Sequence, residues 1–255
     1  MLLVFDIGNT QTVIGVFSGA KLLADWRLAT DRQKTVDEYG ILLKSLFQNS
    51  NLEASQVKAG VISSVVPPVT GLFEGVAVKF FSVNPLVVGP GIKTGLAFKF
   101  ENPREVGADR VVNAVAAIKL FKPPLIVVDF GTATTFCAIA PNGEYQGGAI
   151  APGLSISSEA LFHRTAKLPK IEIEKPKSVI GRNTIHAMQA GLFYGYLGLV
   201  EGIISRMKEE MDCNPQVVAT GDFAGLIGEN TKLIDLIEPH LTLHGLRFIN
   251  ELNSL

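Results

Sequence analysis

Asp6, Gly8, Asn9, Thr10 and Thr12 fall in one polar break of an otherwise apolar stretch, LLVFDIGNTQTVIGVF, running from Leu2 to Phe17. A carboxylate, hydroxyls and amides at the tip of a hairpin are groups that can hold phosphate and its magnesium, and Gly8 lets the backbone approach a ligand closely. Taken alone, the same residues also make an ordinary Asn-containing turn. A second copy shifts the balance. Asp129 and Gly131, in LIVVDFGTATTFCAIA (Leu125 to Ala140), lie 123 positions after Asp6 and Gly8. At that spacing Leu2 falls on Leu125, Val4 on Val127 and Thr12 on Thr135. Val13, Ile14, Val16 and Phe17 then fall on Phe136, Cys137, Ile139 and Ala140. A repeated supersecondary unit implies two domains of one topology, each opening with a hairpin whose polar tip faces a shared cleft.

A third group is Gly107, Asp109 and Arg110, just ahead of the apolar spacing of Val111, Val112, Val115 and Ile118. An aspartate in a first helical turn is stabilised by the helix dipole without further duty, or it can serve as a base beside a substrate loop. Gly147 to Gly153 (GGAIAPG) reads as a small-residue loop with room for a ligand. Thr220-Gly221-Asp222 ends a late strand in a turn able to receive a nucleoside. His240 and His244 have the i, i+4 spacing of helical metal ligands, but no acidic third ligand stands at a recognised spacing. Leu241 to Leu243 alternates like a strand, so solvated or capping histidines are expected there. Asp129-Phe130-Gly131 spells the protein-kinase magnesium tripeptide, yet no H-R-D loop or V-A-I-K strand precedes it. Neither a G-x-x-x-x-G-K-[ST] loop nor a strand-to-helix G-x-G-x-x-G is present.

The elements that must carry these groups follow from the apolar pattern. Leu22 to Leu28 is a third antiparallel strand, Val36 to Gln48 a surface helix, and Lys58 to Val65 a buried strand ending at two serines and closed by Pro67-Pro68. Val69 to Phe80 is helical and Pro85 to Val88 a short strand. Ser155 to Phe162 is a helix, Thr165 to Ser178 a solvated connection, and Thr184 to Met211 the longest helix. Gly191, Gly195, Gly198 and Gly202 share one face of that helix. Each costs about 1 kcal/mol against alanine, so a close contact is expected there, either with the chain's own sheet or with a second copy. A chain of 255 residues with 47% hydrophobic and 18% charged residues accommodates two domains, 1–115 and 116–255, with the C-terminal end able to pack back on the first. Net charge −1 argues against nucleic acid or a membrane surface held by bulk electrostatics, leaving a small-molecule partner. Cys137 and Cys213 have no C-x-x-C spacing, the N-terminus has no basic n-region, and no apolar run reaches the roughly 18 residues of a membrane span. A cytoplasmic location follows.

D-x-G-N-T at Asp6 to Thr10, G-A-D-R at Gly107 to Arg110, D-F-G-T-A-T-T at Asp129 to Thr135 and G-G-x-I-x-P-G at Gly147 to Gly153, in that order, resemble the type III pantothenate kinases. The resemblance implies an α/β chain with the duplicated actin, hexokinase and Hsp70-like (ribonuclease H-like) fold, two similar domains around a cleft. It implies ATP-dependent phosphorylation of pantothenate, the first step toward coenzyme A, by a homodimer using magnesium and a monovalent cation, K⁺ or NH₄⁺. Asp6, Ile7, Gly8, Asn9, Thr10, Gln11, Thr12 and Val13 match the ATP phosphate loop, with Asp6 organising magnesium. Thr132 matches a further ATP contact and Asp129 the ligand of the monovalent cation. Asp109 matches the proton acceptor. Gly107, Ala108, Asp109, Arg110 and Thr184 match pantothenate contacts, as does Phe100, which stands where the family commonly has tyrosine. Asp222 stands where the adenosine turn commonly has a second glycine. A non-catalytic regulator or accessory factor of the same family is the competing expectation.

Overall fold

The computed structural model describes residues 1–99, 102 and 105–254. Its chain falls into two units. Unit 1 comprises Met1–Gly95, Asn102–Lys119 and Leu241–Leu255, and unit 2 comprises Leu96–Glu101 and Leu120–His240.

In unit 1, β1 (Leu2–Ile7) and β2 (Gln11–Ser18) form the opening hairpin, with Leu2 opposite Phe17 and Asp6 opposite Val13. Next to β2 runs β3 (Lys21–Ala29), while β4 (Ala59–Ser64) and β5 (Leu86–Val87) extend the sheet in parallel beyond β1, giving the order β3-β2-β1-β4-β5. Alternation along β1 sends Leu3, Phe5 and Ile7, with Ile62 of β4, into one core. Two helices supply the other half of that core, α1 (Val36–Asn49) with Tyr39, Leu43 and Phe47, and α2 (Pro67–Phe81) with Phe73 and Phe81. A reciprocal capping box starts α1: the Glu38 amide donates to Thr35 Oγ1 at 3.3 Å and the Thr35 amide to Glu38 Oε2 at 2.7 Å. Pro67 and Pro68, expected to close the preceding strand, open α2 instead, because the first helical positions need no amide donor.

The opposite face of the sheet carries Val4, Gly15 and Val61, and α7 (Leu241–Asn253) packs on β1, β2 and β4 there, with Leu243 within reach of Gly15. The strand expected at Leu241 to Leu243 is therefore helix. Buried Leu241, Leu243, Leu246 and Ile249 follow helical spacing once the later residues are included, and three residues were too short a window to separate the two periods. Against α7 lies α3 (Ala108–Leu120), so closely that a Cβ on Gly245 would stand 2.2 Å from the Val112 carbonyl oxygen.

Unit 2 repeats the topology. Here β6 (Leu125–Phe130), β7 (Ala133–Ile139), β8 (Tyr145–Pro152), β9 (Gln216–Gly221) and β10 (Leu236–Ile237) are ordered β10-β9-β6-β7-β8, matching β1 to β5 strand for strand. The duplicated α/β fold is thus present in both halves. Two details differ from the sequence reading. The tip between β6 and β7 is Gly131-Thr132, one residue shorter than Gly8 to Thr10, so Asp129 pairs with Thr135 rather than Phe136 and Thr12 corresponds to Thr134. A one-residue slip moves a strand's side chains to the other face, and this shift puts Phe136 in the core. The expected small-residue loop at Gly147 to Gly153 is largely β8, paired with β7 from Tyr145 to Pro152, with the left-handed Gly147 and Gly148 beside a register shift in β7. Helices α4 (Leu154–Arg164), α5 (Thr184–Met211) and α6 (Ala224–Gly228) complete the unit, α5 burying Phe193, Tyr196, Val200 and Ile204 against Ile126, Val128 and Phe136.

Candidate active site

Asp6 sits at the penultimate position of β1, opposite Val13 on one side and Ser63 of β4 on the other. Beyond it the chain turns tightly, the Gly8 amide donating to the Gln11 carbonyl oxygen at 3.0 Å. Asn9, Thr10 and Gln11 are exposed at the tip, whereas Thr12 is fully buried and its hydroxyl hydrogen-bonds to Thr30 Oγ1 at 2.9 Å. The hairpin therefore presents polar groups outward from a base that is fixed. A single carboxylate at this place suits magnesium, which keeps several waters and takes one or two carboxylates together with substrate phosphates.

Asp109 lies in the first turn of α3, still within unit 1. Its Oδ1 accepts the Arg110 amide at 2.8 Å and lies 2.5 Å from where a Cβ on Gly107 would stand, so glycine at 107 leaves the space this oxygen uses. That same Cβ position lies 3.9 Å from Val65, placing the Gly107 to Arg110 segment at the end of β4. Burial raises the Asp109 pKa above its ordinary 3.8, against the opposing pull of the Arg110 amide and charge. Arg110 is itself 7% exposed. Ala108 begins the helix, and Phe100 lies outside the described residues.

In unit 2, Asp129 holds the place on β6 that Asp6 holds on β1, paired with Thr135 and Thr220. A Cβ on Gly221 would come within 2.6 Å of Asp129 Oδ1, and Gly221 has φ +91°, so the turn after β9 closes over this carboxylate only as glycine. A carboxylate with threonines paired on both sides offers oxygen donors of the kind a hard cation takes. Thr132, at the hairpin tip, accepts the Gly153 amide on its carbonyl oxygen at 3.1 Å, which brings the tip against the start of α4. Thr134, missed in the sequence, hydrogen-bonds to Tyr196 of α5; burial and then the Asp129 charge push the Tyr196 phenol up to about 12.

Thr184 opens α5 after the Asn183 cap and lines an open groove of about 620 Å³ with Ser157, Leu161, Met188, Gly191 and Leu192. On this helix Gly191, Gly195 and Gly198 are exposed, and a Cβ at any of them would meet nothing within 4 Å among the described residues outside the neighbouring turns of the helix itself. Of the two contacts considered for the stripe, packing on the chain's own sheet is excluded. Among the described residues α5 is the one helix long and apolar enough to cross a bilayer, yet 44% of that window is buried and its apolar side lies on the sheet, as in a core helix. The His244 ring lies against Phe17, centroids 5.5 Å apart and tilted by 59°, and the His240 amide donates to Glu238 Oε1 at 3.1 Å. No group of three or more His, Cys, Asp or Glu among the described residues could hold a metal ion.

Residues 2–206 match the family model of type III pantothenate kinase. A type III pantothenate kinase of Bacillus cytotoxicus (strain DSM 22905 / CIP 110041 / 391-98 / NVH 391-98) is 56% identical over 255 residues, covering 100% of this chain and 97% of the relative. The chain belongs to the type III pantothenate kinase family. Among solved structures, a conserved protein ascribed to the Baf family of transcriptional activators, from Campylobacter jejuni, has a TM-score of 0.61 at 17% identity, covering 99% of this chain and 98% of that one. One ascribed 2-dehydro-3-deoxygalactonokinase activity, from Sinorhizobium meliloti, has a TM-score of 0.62 at 10% identity, covering 98% and 96%. At these identities the two structures share the fold alone. Within the pantothenate kinase family frame, Asp6, Gly107 to Arg110 and the end of β4 belong to unit 1, and Asp129, Thr132 and Thr184 to unit 2. Sequence reasoning passed over Ser63, Thr134 and Tyr196 as site residues, and took Thr220 as part of a nucleoside turn without pairing it with Asp129. Aligning each acidic hairpin with the parallel strand that follows it would have drawn out Ser63 and Thr220, which are paired with Asp6 and Asp129.

Proposed function

We propose that this chain transfers the γ-phosphoryl group of ATP to the primary hydroxyl of pantothenate, giving 4′-phosphopantothenate and ADP at the entry to coenzyme A synthesis. Membership of the family over the whole chain carries the reading, supported by a partly buried base at the head of α3 beside the end of β4. Asp109 accepts the hydroxyl proton as the oxygen attacks phosphorus. Its raised pKa makes it a stronger base than a solvated aspartate, and the Arg110 amide holds one of its oxygens in place. Gly107, Ala108, Arg110 and Thr184 contact pantothenate. The residues Asp6 to Val13 and Thr132 hold the nucleotide phosphates, Gly8 and the exposed tip allowing backbone approach. Asp6 is the side chain that would hold magnesium, which when bound would supply neutralisation of charge on the transferred group. Asp129 would hold a monovalent cation, K⁺ or NH₄⁺, which would offset the charge of carboxylates and phosphates. A loose transition state asks for alignment and neutralisation more than for a strong base, which a carboxylate satisfies.

The enzyme works as a cytoplasmic homodimer without nucleic-acid or membrane partners. The glycine stripe of α5 forms the self-complementary contact, and Thr184 at the head of that helix ties assembly to pantothenate binding. An ADP-release assay offering pantothenate beside a panel of sugars and small acids tests the activity. Turnover with pantothenate alone is expected, and turnover only with a sugar would reassign the enzyme.

A further inference from the structure

Ser63 stands apart among the polar side chains around the first hairpin. It is fully buried, and its Oγ makes no hydrogen bond among the described residues. Its neighbour Ser64 shows what the region does with other hydroxyls: Ser64 Oγ accepts the Val66 amide at 3.1 Å and the Thr70 hydroxyl at 2.8 Å. A buried hydroxyl left without a partner destabilises the protein that holds it, so the orphan needs a reason.

Its position supplies one. Ser63 is the β4 residue paired with Asp6, and paired residues of adjacent strands share a face. Leu3, Phe5, Ile7 and Ile62 occupy the face toward α1 and α2, so Asp6 and Ser63 share the other. Neighbouring strands are about 4.8 Å apart, which brings a serine hydroxyl within one hydrogen bond of a paired aspartate by rotation about χ1. Unit 2 repeats the arrangement independently, with Thr220, 2% exposed, paired with Asp129.

We propose that Ser63 is a positioning residue for phosphoryl transfer, its hydroxyl donating to the Asp6 carboxylate when magnesium and nucleotide are bound and thereby fixing the rotamer that faces the metal's waters. The proposal rests on the reading of Asp6 as the organiser of magnesium. Because the bond forms only in the loaded enzyme, its loss separates from any structural role.

The test uses the full chain as Ser63→Ala, Ser63→Thr and Asp6→Asn, measuring thermal midpoint without ligand, the rise in midpoint on adding magnesium with a non-hydrolysable ATP analogue, and the magnesium concentration for half-maximal rate. Ser63→Ala is expected to melt at or above wild type without ligand and to lose much of the ligand-induced rise. It should need about tenfold more magnesium, the scale of one hydrogen bond to a charged group, and Ser63→Thr should restore both readings. A Ser63→Ala protein that melts lower without ligand or does not fold shows a structural partner for the hydroxyl and overturns the proposal, as does an unchanged magnesium requirement. If Asp6→Asn keeps wild-type magnesium dependence, the reading of Asp6 falls; if Asp6→Asn loses it while Ser63→Ala does not, only the Ser63 proposal falls.

Discussion

Burial acts on Asp109 in the direction that catalysis needs and against the direction that stability prefers. A carboxylate whose folded pKa is raised binds its proton more tightly in the native state than in the unfolded one, so its ionised form costs stability as pH rises through the folded value. Asp109→Asn is therefore expected to lower kcat about 10²- to 10⁴-fold while melting higher than wild type at pH 7. That gain in melting temperature should vanish below the ordinary aspartate pKa of 3.8, where both states are protonated. Near-wild-type turnover would remove Asp109 from the reaction. The same elevation places the acid limb of the wild-type kcat/KM profile above the range of a solvated aspartate. Asp129→Ala is expected to abolish the response of rate to potassium, checked by comparing rates in potassium and in a bulky organic cation. At this scale the matching places of Asp6 and Asp129 were legible because a carboxylate beside glycine interrupts an apolar run in both halves of the chain. Ser63, Thr134 and Tyr196 were not, because a hydroxyl at a strand end or an aromatic on a helix face reads first as packing, and only the pairing of strands gives it a neighbour.

Most elements could be read from periodicity alone, and the misses share a cause. Leu241 to Leu243 looked like a strand because three residues fit either period. Gly147 to Gly153 looked like a loop because small residues are poor strand formers in isolation, yet β7 supplies a hydrogen-bonded edge that pairs with them. Tertiary partners overrode local preference in both places. The contact of α3 with α7 shows how tightly such a partner can be specified. A side chain at 245 would enter the backbone of α3, so Gly245→Val is expected to destabilise the protein by about 1–3 kcal/mol or more, read as a lowered urea midpoint. Since α3 carries Asp109, that variant should also lose activity out of proportion to its folded fraction. A variant as stable as wild type would show that α3 and α7 have room to part.

At the scale of the molecule, the exposed glycines of α5 make assembly testable apart from chemistry. Gly195→Leu places a bulky side chain where, among the described residues outside the neighbouring turns of α5, nothing stands within 4 Å of a Cβ, so the monomer should fold unchanged. Sedimentation is expected to show dissociation together with a raised pantothenate KM; a dimer with unchanged KM would put the interface elsewhere. The repeat of one topology in two units was legible from paired motifs far apart in the chain, whereas the return of the last helix to the first unit was visible only as an option, since nothing local in Leu241 to Leu255 names the sheet it covers. That return bears on how the protein is made. Unit 2 draws all but a few of its residues from one uninterrupted stretch ending at His240, while the sheet that starts with the second residue waits for the last fifteen before α7 can cover Val4 and Gly15. At about 5–20 residues per second, the ribosome leaves that face bare for roughly ten seconds after α3 has emerged. The half begun first is finished last, and a chain released before Leu241 has been added carries an opening hairpin with no lasting cover, whose upkeep falls to chaperones.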